Sequence, residues 1–256
     1  IYIKTFGNEL NQSRVYNLDN LKKFSVTEWI EKYLNKFTSD FSSDNFKNNF
    51  KIENVNSLNY KVKRFFDVLI SIFLILLTSP IFVLSILLIY FEDGRPIFYS
   101  QIRTGFRGKN IKIWKLRTMH IQAEKYGAQW TSVSDPRVTK VGWYLRKFRI
   151  DELPQILNVL KKEMSLIGPR PERPEFDRDL KKKIPHYYLR YNIFPGLSGW
   201  AQVNYPYAAS IEEVSNKLSY DLYYLKNFSI FLDFLIFLKT IKLVLNAKGS
   251  VPSNKI

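Results

Sequence analysis

The chain has 256 residues, with 39 Lys and Arg against 23 Asp and Glu, a formal charge of +16. The absence of Cys excludes a disulfide scaffold, a thiolate zinc centre and a cysteine nucleophile, and two isolated histidines, His120 and His186, exclude a multi-His metal centre. Any catalysis must therefore rest on carboxylates, hydroxyls, Lys or Arg.

Residues 1–60 are rich in Asn, Ser, Lys and Phe and carry a net charge of only +1, so the remainder holds +15. That field suits nucleic acid, an anionic membrane surface or phosphorylated small molecules. Within the first 60 residues, 25–37 (SVTEWIEKYLNKF) predict a capped helix, with Ser25 or Thr27 as the cap and Trp29, Ile30, Tyr33, Leu34 and Phe37 as its apolar stripe. The polar stretch after it predicts a linker. The start at Ile1 suggests that residues 1–60 are the tail of an upstream region.

Residues 68–91 form 24 positions without a formal charge, longer than the ~20 needed to cross a bilayer core. A single spanning helix is the simplest reading. The flanks favour another, because Lys61, Lys63 and Arg64 precede the segment while Arg95, Arg103 and Arg107 follow it, and basic flanks favour the cytoplasmic side. Ser79-Pro80 lies at the midpoint, where each leg is about 18 Å long at 1.5 Å per residue. Proline removes one helical amide, and the Thr78 and Ser79 hydroxyls can cap the carbonyls thus freed. A helix-break-helix hairpin that enters and leaves one leaflet is the preferred expectation.

Short strands are predicted at residues 97–101 and 111–116. In the second, alternation places Lys115 and Arg117 on one face, either as a solvated polar edge or as a pair of cations for a diphosphate. Helices are predicted at 138–148 and 152–164. Asp151-Glu152 stands at the start of the second, where Asp is a common cap. A helix N-terminus also favours bound phosphate, and a carboxylate there can ligate a divalent ion or attack phosphorus. Such an attack needs cations to offset anion repulsion, and Arg146 and Arg149 precede the pair.

In Gly168-Pro169-Arg170-Pro171 the prolines fix the backbone, so Arg170 is presented on a rigid turn as a bidentate phosphate fork. The short Lys181–Lys183 run predicts a solvated face. In PGLSGWAQV, residues 195–203, the glycines suit a tight loop, and Trp200 either stacks a base or fills the core. Residues 230–245 form a helix apolar enough either to pack in a core or to lie in a membrane interface with its lysines snorkelling.

The basic lead-in, the apolar segment with Ser-Pro, KLRTM, DPRVTKVGWYLRKFRIDELPQ, LKKEMSLIGPRP and PGLSGWAQV occur in an order that resembles the bacterial sugar transferase family, the monotopic phosphoglycosyl transferases. The resemblance runs from about Tyr60 to Leu245. It implies an α fold with minor β: a re-entrant membrane helix hairpin at 61–95 and a mainly helical cytosolic catalytic domain at 96–250 with interfacial amphipathic helices, one near 230–245.

It further implies transfer of a sugar phosphate from a UDP-sugar to a polyprenyl (undecaprenyl) phosphate at the start of surface-glycan synthesis, with release of UMP. By that resemblance Asp151 is the nucleophile that forms a phosphosugar-aspartyl intermediate, and Glu152 helps Asp151 hold Mg²⁺. Lys115, Arg117, Arg146, Gly168, Pro169 and Arg170 handle phosphate, and Ser79-Pro80 is the membrane break. The implied location is the cytoplasmic face of a bacterial inner membrane, against anionic lipids, with no nucleic-acid partner and with homo-oligomers allowed. Phe194 departs from the family, which often has a basic residue before this Pro-Gly, so nucleotide contacts at this loop are not carried over. A membrane-anchored glycosyl transferase releasing UDP and a non-enzymatic basic scaffold are the alternatives.

Overall fold

A computed structural model describes residues 31, 33–34, 36–37, 55–123, 125, 135–205 and 210–247. The chain divides into Ile1–Phe50 and Lys51–Ile256. In the first unit Glu31, Tyr33 and Leu34 are helical as predicted, with Tyr33 and Leu34 exposed and Phe37 buried. Ser25, Thr27, Trp29, Ile30 and most of the predicted linker lie outside the described residues.

The second unit opens with a 36-residue helix, α1 (Leu58–Asp93), capped by the Ser57 hydroxyl on the Tyr60 amide. It is long and apolar enough to cross a membrane. Its buried residues are Tyr60, Lys63, Asp67, Ser71, Ser85 and Ile89, a mostly polar stripe at helical spacing, whereas Phe73, Leu76 and Leu77 are more than 60% exposed. A water-soluble helix shows the opposite pattern, so the outer face of α1 is built for an apolar solvent.

Where the sequence predicts two legs, α1 runs through Ser79 and Pro80 as one element. The physical reason lies in two hydroxyls. Pro80 cannot supply the amide that would reach the Leu76 carbonyl, and Ser79 Oγ donates to that carbonyl at 2.9 Å, while Thr78 Oγ1 donates to Leu74 O at 2.7 Å.

Strands β1 (Phe98–Thr104) and β2 (Asn110–Leu116) form an antiparallel hairpin in which Tyr99 faces Lys115. Helix α2 (Lys140–Lys147) comes next, then a 3₁₀ turn (Ile150–Gln155) and α3 (Ile156–Leu160). The predicted helix over 152–164 is thus a 3₁₀ turn plus one short helix. Strand β3 (Ser165–Ile167) pairs in parallel with β4 (Gly196–Ser198), with α4 (Pro174–Lys183) and a 3₁₀ turn (Tyr187–Asn192) between them.

Short α5 (Trp200–Asn204), α6 (Ile211–Lys226) and α7 (Ile230–Leu245) complete the unit. Trp200 is buried and stacks on Tyr223 with ring centroids 6.0 Å apart, so it fills the core. Lys181, Lys182 and Lys183 are exposed, as predicted. On α7, Leu232 and Ile236 face inward while Phe231, Phe234, Leu238 and Leu245 are exposed, which leaves one apolar face outside the core.

Two small clusters fasten α1 to the rest of the unit. Ile89, Leu116 and Leu145 join α1, β2 and α2. At the other end of α1, the Lys63 ammonium lies 2.7 Å from Asp233 Oδ2 on α7, and Asp67 accepts from Ser165 Oγ at 2.8 Å and from the Leu166 amide at 3.1 Å.

Candidate active site

In β2, Ile111, Ile113 and Lys115 share the inward side of the hairpin, and the ammonium of Lys115 extends that apolar row to a polar end. Thr139 caps α2 by accepting from the Gly142 amide at 2.9 Å. Gly142 is required there, because a Cβ would stand 2.2 Å from the Thr118 carbonyl oxygen. The last turn of α2 carries Arg146, whose Nε donates to Thr118 Oγ1 at 2.8 Å. Arg149 then takes a left-handed conformation (φ 56°), which redirects the chain into the 3₁₀ turn bearing Asp151 and Glu152.

Both carboxylates are buried, at 6% and 7% exposure. Glu152 is the hub: Lys115 Nζ lies 2.8 Å from Oε1, Arg170 Nη2 2.5 Å from the same oxygen, and Arg149 Nη1 3.8 Å from Oε2. Asp151 differs, with Lys115 Nζ 3.9 Å from Oδ2 and, among the described residues, no hydrogen-bond donor on its carboxylate. Asp151 is therefore not the helix cap that its position allowed.

Burial pushes the Asp151 carboxyl up to about 6, helped by the Glu152 charge and opposed by Lys115, Arg146 and Arg170. Burial acts on Glu152 in the same direction, yet Arg170, Lys115 and Arg149 outweigh it and hold that carboxyl well below the usual range. Burial also draws the Lys115 ammonium down, against the pull of Glu152 and Asp151. The arrangement separates a permanently charged organiser from a neighbouring carboxylate whose oxygens are available.

Arg170 is placed by backbone packing. The parallel pairing of β3 and β4 continues through Gly168, whose amide donates to Ser198 O at 2.8 Å, and Pro169, whose carbonyl accepts from Gly196 N at 2.9 Å. A Cβ on Gly168 would meet Phe194 O at 2.5 Å, and one on Gly196 would meet Gly168 N at 2.0 Å. Behind the turn, Arg190 Nη2 donates to the Arg170 carbonyl at 2.6 Å and pairs with Asp221 at 3.1 Å.

Asp151, Glu152, Lys115 and Arg170 thus converge, with Arg149 on Glu152 and with Arg146 close enough to act on the Asp151 charge. Gly168 and Pro169 serve as backbone. Arg117 does not join them. The strand ends at Leu116, so the predicted alternation stops before Arg117, whose Nη2 donates to the Asp93 and Gly94 carbonyls at 2.8 and 2.9 Å and whose Nη1 lies 3.3 Å from the Asp93 carboxylate.

The buried pair Arg190 and Asp221, with half-buried Glu172 and Lys217, forms a charge network behind Arg170 that the sequence motifs did not single out. The signal for it was present, since Arg190 and Asp221 sit among aromatic and aliphatic neighbours in YYLRYN and LSYDLYYL.

No group of three potential metal ligands occurs among the described residues. A carboxylate pair still fits Mg²⁺, which is commonly held by one or two carboxylates and completes its shell with water and substrate phosphate. Phe194 stacks on Phe106 with ring centroids 4.5 Å apart, so this position serves aromatic packing.

These features define a basic, carboxylate-centred cluster built beside an apolar helix. The model of the bacterial sugar transferase family matches residues 58–247, and the chain belongs to that family. It is 44% identical over 189 residues to the UDP-N-acetylgalactosamine-undecaprenyl-phosphate N-acetylgalactosaminephosphotransferase of Aeromonas hydrophila, covering 74% of this chain and 45% of that one. It is 34% identical over 189 residues to the UDP-glucose:undecaprenyl-phosphate glucose-1-phosphate transferase of Escherichia coli (strain K12), covering 73% and 41%. With the exopolysaccharide production protein ExoY of Rhizobium meliloti (strain 1021) it shares 37% identity over 212 residues, 77% of this chain and 91% of that one. The chain spans less than half the length of the first two relatives.

Proposed function

We propose that the protein is a polyprenyl-phosphate phosphoglycosyl transferase that moves a sugar phosphate from a UDP-sugar to undecaprenyl phosphate, releases UMP and so begins a surface glycan. The observation that carries this reading is Asp151, a buried carboxylate pushed up to about 6, among cations from three elements and accepting no hydrogen bond among the described residues. An oxygen of Asp151 attacks the sugar-bearing phosphorus, the bond from that phosphorus to the bridging oxygen breaks, and UMP departs with the bond electrons. The lipid phosphate then attacks the same phosphorus and returns the Asp151 carboxylate. Lys115, Arg146 and Arg170 offset the charge on the phosphoryl oxygens, and Glu152 keeps Lys115 and Arg170 in place. Mg²⁺ held by Asp151 and Glu152 would supply further charge neutralisation at the diphosphate. Arg117 has no part in this scheme.

In this reading α1, helical throughout, is kinked by the Pro80 ring within one leaflet so that both ends meet the cytoplasmic face of the inner membrane, a placement supported by its two basic flanks and by the contact of both ends with one catalytic unit. The exposed apolar face of α7, with Lys239 and Lys242 beside it, lies against anionic headgroups. The test is incubation of the detergent-solubilised full chain with UDP-sugars and no lipid. A stoichiometric burst of UMP that Asp151→Asn abolishes is expected, whereas release of UDP would establish the glycosyl transferase alternative.

A further inference from the structure

Each element that contributes a group to the site, or the segment that directly follows it in the chain, is tied by a polar contact to an end of α1. At its N-terminal end, the Arg64 guanidinium donates to the Val159 and Leu160 carbonyls and, at 3.2 Å, to Met164 O, so it closes the C-terminus of α3, the helix that continues from the Asp151-Glu152 turn. Asp67 accepts from Ser165 and Leu166 in β3, the strand that leads directly into Gly168 and the Arg170 turn. At the other end, Glu92 accepts from the Lys140 amide at 2.8 Å and from the Val141 amide at 3.1 and 3.2 Å, and so closes the N-terminus of α2, which carries Arg146. Asp93 and Gly94 hold Arg117, two residues beyond Lys115.

The signs match the helix ends. A carboxylate meets the free amides that begin α2 and a guanidinium meets the carbonyls that end α3. Asp151 and Glu152 lie on the turn between those two helices, gripped from outside at both limits. An anchor whose only task is to hold a domain on a bilayer needs no such distribution.

We propose that α1 is a brace for the catalytic turn and that Glu92 is a positioning residue for phosphosugar transfer, an inference that rests on the function proposed above. Glu92 touches no reacting atom. It fixes where α2 starts, and α2 and the left-handed Arg149 fix where Asp151 emerges relative to Lys115 and Arg170.

The test uses the full chain in lipid nanodiscs with Glu92→Ala, Glu92→Asp and Glu92→Gln. Asp keeps the charge but withdraws it by one carbon–carbon bond, about 1.5 Å; Gln keeps the reach and an accepting oxygen. In Ala and Asp the UMP burst rate is expected to fall about tenfold through misplacement of the attacking group, with KM for the UDP-sugar within about twofold and Gln within about threefold of wild type. Hydrogen–deuterium exchange should rise across residues 150–155 in Ala and Asp, beyond the local fraying at 140–143 that loss of a cap alone produces.

A wild-type burst with wild-type exchange at 150–155 in Glu92→Ala overturns the proposal, and so does full activity in Glu92→Asp, which would leave surface charge as the only role. If the wild-type protein releases no UMP, the proposed function fails, and the exchange comparison still decides the brace.

Discussion

Lys63→Met places an apolar chain of similar length where a buried ammonium now serves two carboxylates. Lys63 is 4% exposed, with its nitrogen 2.7 Å from Asp233 and 4.0 Å from Asp67. Asp67 retains two donors from β3, so the loss falls on Asp233, which keeps the Tyr224 hydroxyl at 2.6 Å. Removal of one partner from a buried pair costs about 3–5 kcal/mol. At about 2–4 °C per kcal/mol for a domain of this size, thermal unfolding in detergent should fall by about 6–20 °C.

The deficit should depend on pH. Burial already raises the Asp233 carboxyl above its ordinary 3.8, with Lys63 opposing, and loss of Lys63 raises it further. A carboxyl raised in the folded state favours folding while protonated and loses that contribution as pH climbs through its folded value, so the deficit is smaller near about pH 5 than near about pH 8. Lys63→Met/Asp233→Leu should recover most of it, because the carboxylate left without its ammonium is removed as well. A single variant within about 3 °C of wild type at about pH 8, or a double variant no better than the single, would contradict the role given to Lys63.

Three other outcomes are expected of the site and the membrane helix. With Asp151 raised to about 6, its ionised form, the nucleophile of the proposed scheme, is lost as pH falls through that value, so the UMP burst at fixed Mg²⁺ should drop about tenfold between about pH 7 and about pH 5; a profile flat over that range would exclude Asp151 as the titrating nucleophile. Arg170→Ala removes a two-nitrogen fork and should slow the burst by about 10²–10³-fold, while Arg170→Lys keeps the charge without the fork and falls between, as measured by quenched single-turnover assays. Cysteines at positions 61 and 95 should label with an impermeant maleimide from the same side of sealed vesicles, and opposite-side labelling would establish a spanning α1.

What was legible in the sequence is what depends on nearby residues. The strands β1 and β2, though not their pairing, and helices α2 and α7 follow from periodicity and capping, and α7 occupies the predicted residues 230–245. Asp151, Glu152 and Arg170 could be singled out because each stands beside a turn or a proline. Arg117 shows the limit: alternation holds only while the strand lasts, and β2 ends one residue too soon. At Ser79-Pro80 the sequence showed both the lost amide and the hydroxyls that replace it, but not their balance, which leaves the helix continuous. Glu92, Arg190 and Asp221 escaped notice because their partners lie 48, 20 and 31 positions away, a separation on which local pattern is silent.

The close approach of β3 to β4 has a consequence for how this enzyme family can diversify. Gly168, Gly196 and Gly199 meet main chain against main chain, and a Cβ on Gly199 would stand 2.1 Å from Gly168 O. The location of Arg170 is consequently written in atoms that every residue type shares, out of reach of gradual side-chain change. Side chains around the site can be exchanged one at a time, while the Arg170 corner acts as a fixed datum from which their positions are measured.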